Sequence, residues 1–167
     1  MKAKPLPPLK ELVERVTYNP KTGIFMWVKY CGAQRYGGTA GRPCPRGYLR
    51  IMHKGQNIQM HRVAWLFMTG EDPGQMQVDH RDGNKSNNRW KNLRLVSPVI
   101  NSQNMREPGQ LNTSGYLGVS WCKRTGLFRA TIKVDGRQKS LKYHATAELA
   151  HEAYLKAKRE LHPGCTI

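Results

Sequence analysis

The sequence predicts an α+β chain in two parts, and three observations carry that reading. Residues 9–106 mix short apolar runs, turn signals and helical stretches. Residues 107–114 hold no long apolar residue except Leu111. Beyond them, a clean two-residue alternation gives way to a helical one. The expected boundaries are therefore 1–106, a linker at 107–114, and 115–167, in a chain of 167 residues with room for two small domains with thin cores.

Each element follows from a local pattern. Lys2 to Pro8 is a loose lead-in. Leu9, Leu12, Val13 and Val16 recur at helical spacing and predict a short helix. "YNPKTG" is turn chemistry and "IFMWV" a strand. The Gly-rich stretch from Cys31 to Cys44 reads as a long loop. "GYLRIMH" and "IQMH" predict a hairpin with Gly55 and Asn57 in its turn. "HRVAWLFMTG" sets Val63, Ala64, Phe67 and Met68 on one helical face, with Gly70 at the stop. "MQVDH" and "RWKNLRLVS" are strand-like, a long polar turn region separates them, and "PVINSQNM" starts a helix. In the second part Leu117, Val119 and Trp121 share a side. Phe128, Ala130, Ile132 and Val134 then face one way, and Arg129, Thr131 and Lys133 the other. Asp135-Gly136 turns the chain into "RQKSLKY". Thr146 caps a last helix with Ala150, Ala153, Tyr154, Ala157 and Leu161 as its buried stripe. The second part is thus a three-stranded antiparallel sheet packed on one helix.

Charge narrows the function classes. Lys and Arg number 28 against 11 Asp and Glu, a formal net charge of +17. Residues 1–109 carry 18 basic and 7 acidic residues and 110–167 carry 10 and 4, so the halves hold +11 and +6. An excess in both halves suits an extended polyanion. In the second part it concentrates on the strands: Val119 to Tyr143 holds seven basic residues and one acid, Asp135. Such a sheet can enter a DNA major groove. There is no basic amphipathic helix with an aromatic face, no apolar run near the ~18 residues of a membrane span, and no signal peptide, so no membrane partner is expected. Cys31, Cys44, Cys122 and Cys165 form no C-x-x-C pair and are expected reduced in a cytoplasmic protein; a Cys31–Cys44 zinc or disulfide staple stays open, although its spacing matches no standard zinc pattern.

The chemistry gathers in "VDHRDGNKSNNRWKNLRLVSPVINSQN", where six Asn accompany the pair Asp79-His80. His80 is followed by Asn92 after 92 − 80 = 12 residues and by Asn101 after 101 − 80 = 21. With "DHRDGNKSNN", "NLR", Asn101-x-x-Asn104 and the upstream "HRVAWLF", this spacing resembles the HNH nuclease ββα-metal motif of phage and intron homing endonucleases. With "YNPKTGIFMW" and "GYLRI", the resemblance spans most of residues 9–106. "GYLGVSW", "FRATIKVDGRQKSL" and "TAELAHEAYLKAKRELHPG" resemble an AP2-type DNA-binding domain over about 115–164. It departs at Leu141-Lys142-Tyr143-His144, where that family usually has Leu-Gly-x-Phe, and at Ser120, Cys122 and Ser140, where plant members carry Arg or Trp. The pairing of these two domains is familiar in phage-encoded endonucleases, which implies a bacterial host cell.

The resemblance implies roles. His80 would be the general base, and Asp79 and Asn101 oxygen ligands for a divalent metal, Mg2+ or Mn2+. Asn92 would complete the catalytic pair by fixing the His80 ring or tying the loop, with Asn104 a reserve ligand. His61 is either a support or phosphate-contacting residue or a packed core histidine. Asp82, Gly83, Asn84, Asn87 and Asn88 read as turn residues. Arg81, Lys85, Arg89, Lys91 and Arg94 are expected on phosphates, and Lys123, Arg124, Arg129, Thr131, Lys133 and Arg137 on DNA through the second part. By position in the AP2 pattern, Ser120, Gln138 and Ser140 join the groove-facing set. The expected function is a metal-dependent, site-selective endonuclease acting on double-stranded DNA as a monomer or weak dimer. A monomer with one site would nick, and a double-strand break would need two binding events. The rivals are a non-catalytic DNA-binding regulator and an RNA- or ribosome-associated protein.

Overall fold

A computed structural model describes residues 4–28 and 37–166. Cys31, and with it the possible Cys31–Cys44 staple, lies outside the described residues. By internal contacts the chain divides into Met1–Pro98 and Val99–Ile167. That division falls ahead of the 107–114 stretch.

In the first unit α1 (Leu9–Val13) leads into a hairpin of β1 (Val16–Asn19) and β2 (Ile24–Trp27), which β3 (Thr39–Ala40) extends. The expected helix stops early. Val16 pairs with Trp27 in the hairpin and is fully buried there, so strand pairing and burial override the helical spacing. A second sheet follows, β4 (Arg42–Pro43), β5 (Leu49–His53) and β6 (Gln56–Gln59). Its tight turn is Lys54-Gly55, at φ 45° and 76°; Asn57, expected in the turn, sits in β6 opposite Met52. Then come α2 (Met60–Thr69), β7 (Gln77–His80) and β8 (Leu93–Val96). Gly70 closes α2 in the left-handed region, as its sequence position predicts.

The first core joins Leu12, Val16, Phe25, Met60 and Val63, all within 2 % of full burial, to Ile51, Ile58, Ala64, Leu66, Val78 and Leu93. Each such large side chain contributes about 1.5–3 kcal/mol by leaving water. Met68, expected on the buried face of α2, is 41 % exposed, and Leu66 is buried instead. The helix is rolled toward Met60 and Val63, away from Met68.

The second unit begins within α3 (Pro98–Gln103) and continues with β9 (Val119–Cys122), β10 (Leu127–Val134), β11 (Arg137–His144) and α4 (Ala147–Leu161). The strands form one antiparallel sheet with β10 in the middle. Ala130 and Ile132 of β10 are buried with Ala147, Ala150, Tyr154 and Ala157 of α4, as the alternation predicts. The Thr146 hydroxyl accepts from the Leu149 N–H at 3.3 Å and caps the helix. Two expectations at the margins differ. Trp121 is 47 % exposed and packs its edge on Phe128 at 4.8 Å, while Lys158, not Leu161, is buried at the end of the helical stripe. The stem of Lys158 fills apolar space and its ammonium reaches the Met105 carbonyl. Among the described residues no helix is long and apolar enough to cross a membrane.

Candidate active site

β7 and β8 pair antiparallel, with Asp79 opposite Arg94 and His80 opposite Leu93. Asp79 and His80 therefore close the end of β7, and both are buried. Arg94 reaches across the pair. Its Nε and a terminal nitrogen lie 2.9 and 2.8 Å from the same Asp79 oxygen, Oδ2. Arg94 holds the Asp79 carboxylate beside His80, because cross-strand pairing sets the two side chains face to face.

The His80 ring is fixed from the loop between the strands. Its Nε2 lies 3.1 Å from Oδ1 of Asn88, which is 1 % exposed. With the amide oxygen toward the ring, Nε2–H donates, the tautomer that puts the neutral ring's lone pair on Nδ1. Burial lowers the His80 pKa below its usual 6.5, partly opposed by the Asn88 bond and by the charges of Asp79 and Asp82. The ring is thus neutral near pH 7.

Two more rings enclose it. His61, in the first turn of α2, lies 5.1 Å from His80 at 79° between planes, and Tyr48 lies 5.1 Å from His61 and 6.0 Å from His80. The ammonium of Lys85 sits over Tyr48 at 5.5 Å. Burial, then the charge on Asp79, raises the Tyr48 pKa. His61 is 5 % exposed, and among the described residues its buried Nδ1 has no hydrogen-bond partner.

Asn92 does other work. Its amide nitrogen donates to Asp82 Oδ1 at 2.9 Å and to the Asn87 carbonyl at 2.8 Å, and its oxygen accepts from the Asp82 N–H at 3.0 Å. Asn92 ties the loop, and Asn88 contacts the His80 ring. For Asp82, slight burial works to raise the pKa, but bonds from Asn87, Asn92 and the Asn84 N–H hold it below the usual carboxylate value. Asp82, Asn84 and Asn87 are the turn residues expected.

The loop is propped by the "YNPKTG" turn. Tyr18 donates to the Asn88 carbonyl at 2.6 Å, and the Trp90 N–H to the Pro20 carbonyl at 3.0 Å. Trp90 packs on Trp65 at 5.0 Å.

With this geometry in view the comparisons fall into place. A family model described as HNH endonuclease matches residues 59–103, from the end of β6 through α3. Protein 3.8 of Escherichia phage T7 is 37 % identical over 102 residues, covering 61 % of this chain and 83 % of that protein. The chain belongs to the HNH endonuclease family. DNA endonuclease I-HmuI of Bacillus phage SP01 is 48 % identical over 62 residues, 36 % of this chain and 35 % of that protein, so the match spans about a third of that relative. A putative HNH homing endonuclease, YosQ, derived from the SPbeta prophage of Bacillus subtilis is 31 % identical over 96 residues, 54 % of this chain and 56 % of that protein. A solved structure titled "DNA binding and cleavage by the HNH homing endonuclease I-HmuI" aligns over 90 % of this chain and 88 % of its own, at 28 % identity and a TM-score of 0.42.

Within the matched HNH region His61, Asp79, His80, Asn88 and Asn92 all lie in the first unit. Arg81, Lys85, Arg89 and Lys91 are exposed along the loop, open to a polyanion. Asn101 is half-buried in α3, in the second unit. Asn104, the reserve ligand, is buried with its Oδ1 accepting from the Thr166 hydroxyl, which commits that oxygen to the tail of its own unit. On the C-terminal sheet Lys123, Arg124, Lys133 and Arg137 are exposed, Thr131 is half-buried, and Arg129 is half-buried, its Nε without a partner among the described residues. The sequence read Asn88 as a turn residue beside Asn87, and nothing local marked Tyr48.

Proposed function

We propose that this HNH endonuclease is a metal-dependent, site-selective DNA endonuclease with His80 as general base. The observation that carries the proposal is the buried Asp79-His80 pair with Asn88 on Nε2, which leaves Nδ1 as the proton acceptor. In the step, a water proton passes to Nδ1 as the water oxygen bonds phosphorus, and the P–O bond on the opposite side breaks with its electron pair staying on the leaving oxygen, which takes a proton from solvent. Arg94 orients Asp79, and Asn92 keeps the loop that carries Asn88 in place. Arg81, Lys85, Arg89 and Lys91 meet backbone phosphates and position the duplex.

Asp79 is a buried carboxylate, a hard oxygen donor of the kind that suits Mg2+ or Mn2+, and among the described residues no group of three or more His, Cys, Asp and Glu that could hold a metal ion comes together around it. Asp79 would hold the cation, as Mg2+ or Mn2+. A cation held by Asp79 would supply charge neutralisation for the reacting phosphate. The exposed cations of the C-terminal sheet support a second, AP2-like DNA contact that adds affinity and some selectivity. The relatives named as phage or prophage endonucleases support a phage setting.

A plasmid-nicking assay with Mg2+, with and without EDTA, tests the reading. His80→Ala should abolish nicking while DNA affinity stays near wild type, and EDTA should do the same to the wild-type protein. Wild-type nicking by the variant would overturn the assignment of the base.

A further inference from the structure

Of the rings around His80, the mechanism leaves Tyr48 and His61 unused, and His61 is the buried one. It is buried on the second residue of α2, and among the described residues its Nδ1 has no hydrogen-bond partner. An apolar ring in the same space would pack on Tyr48 and His80 without burying an unpaired nitrogen. The His61 ring stands nearly perpendicular to His80, at 79° and 5.1 Å, while Asn88 holds His80 at Nε2. A hydrogen bond at Nε2 and a ring packed edge-to-face both favour this orientation of the imidazole about its Cβ–Cγ bond.

We propose that His61 is a positioning residue for cleavage: its imidazole holds the plane of the His80 ring and presents a neutral polar neighbour to the imidazolium that forms when Nδ1 takes the water proton. The inference rests on His80 being the base. Burial, followed by the charges of His80 and Arg62, pushes the His61 pKa down to about 3, so His61 does not compete with His80 for charge near neutral pH. The contribution is realised as the proton moves, so it belongs to the rate of the chemical step and not to ground-state binding of DNA.

The test uses the full chain with Mg2+, comparing His61→Phe and His61→Asn with wild type for single-turnover cleavage rate, DNA Kd and thermal unfolding. His61→Phe keeps a ring and removes both nitrogens. It should remain folded and bind DNA within about twofold of wild type, while cleavage slows by about 10- to 100-fold, the usual effect of losing a group that orients a site residue. His61→Asn restores a polar edge and should recover part of the rate. Wild-type cleavage by His61→Phe would overturn the inference, and so would two variants that are inactive only because they are unfolded at the assay temperature. His80→Ala, run alongside, keeps the outcomes apart: if it still cuts, the base assignment fails, whatever the His61 variants do.

Discussion

Asn88 is the loop residue that meets the His80 ring, at Nε2, and its sequence position did not reveal that contact. The adjacency of Asp79 and His80, and the intervals to Asn92 and Asn101, were legible because motif spacing survives in one dimension. The division of labour between Asn88 and Asn92 was not, because both are amides in a polar loop and only the loop's closure turns one inward. A substitution at Asn88 exposes the link. In Asn88→Asp a carboxylate faces Nε2–H and favours the charged imidazole, so the His80 pKa rises from its depressed value. The base works only when neutral, so the acid limb of the pH–rate profile should move to higher pH than in wild type. A limb that stays in place would contradict the contact. His61 gives a stability signature of the opposite kind. Its folded pKa, about 3, lies below the ordinary 6.5, so the unfolded chain binds more protons between those values. The contribution is fully present above about pH 6.5 and is lost as pH falls toward 3. Urea midpoints of wild type should therefore drop across that window more steeply than those of His61→Phe.

At the scale of elements, the β1–β2 hairpin shows how a turn comes to serve a site. Its "YNPKTG" signature was readable as a turn, but β1 itself was hidden because Val16 continues the helical spacing begun at Leu9. The partner that settles Val16 is Trp27, eleven residues on and across a turn. What the turn leans on lies further still in sequence. Gly23 sits at φ 76°, and a Cβ there would stand 2.5 Å from the Arg89 nitrogen and 2.6 Å from the Asn88 carbonyl carbon, both backbone atoms that cannot swing aside. Gly23→Ala should cost about 1–3 kcal/mol from the left-handed backbone alone, with more from the clash. It should also slow cleavage by shifting Asn88 off His80. Denaturant unfolding and the nicking rate together check this, and a variant with wild-type stability and rate would show that the hairpin does not brace the loop. The C-terminal elements were legible nearly whole, since period-two strands, an Asp-Gly turn and a capped helix are local signals. Their exceptions, exposed Trp121 and buried Lys158, depend on neighbours that no local window contains.

For the molecule as a whole the governing quantity is charge. A net +17 distributed over both halves makes phosphate contact the main source of DNA affinity, with release of counterions as its driving force. Each Lys or Arg that neutralises one phosphate of a duplex adds about 0.9 to the slope of log Kobs against log salt concentration. Lys123, Arg124 and Arg137 are exposed around the turns of the C-terminal sheet, and among the described residues no carboxylate lies within ion-pair distance of any of them. Replacing all three by Gln should lower the slope by about 3 × 0.9, close to 3, and weaken binding to all duplexes alike. The cleavage rate on saturating DNA should stay unchanged, because His80, Asp79 and Asn88 lie in the first unit. If the sheet is only a solvated face, the slope will not move. If the rate falls with it, these cations act in the chemical step and not in DNA affinity alone.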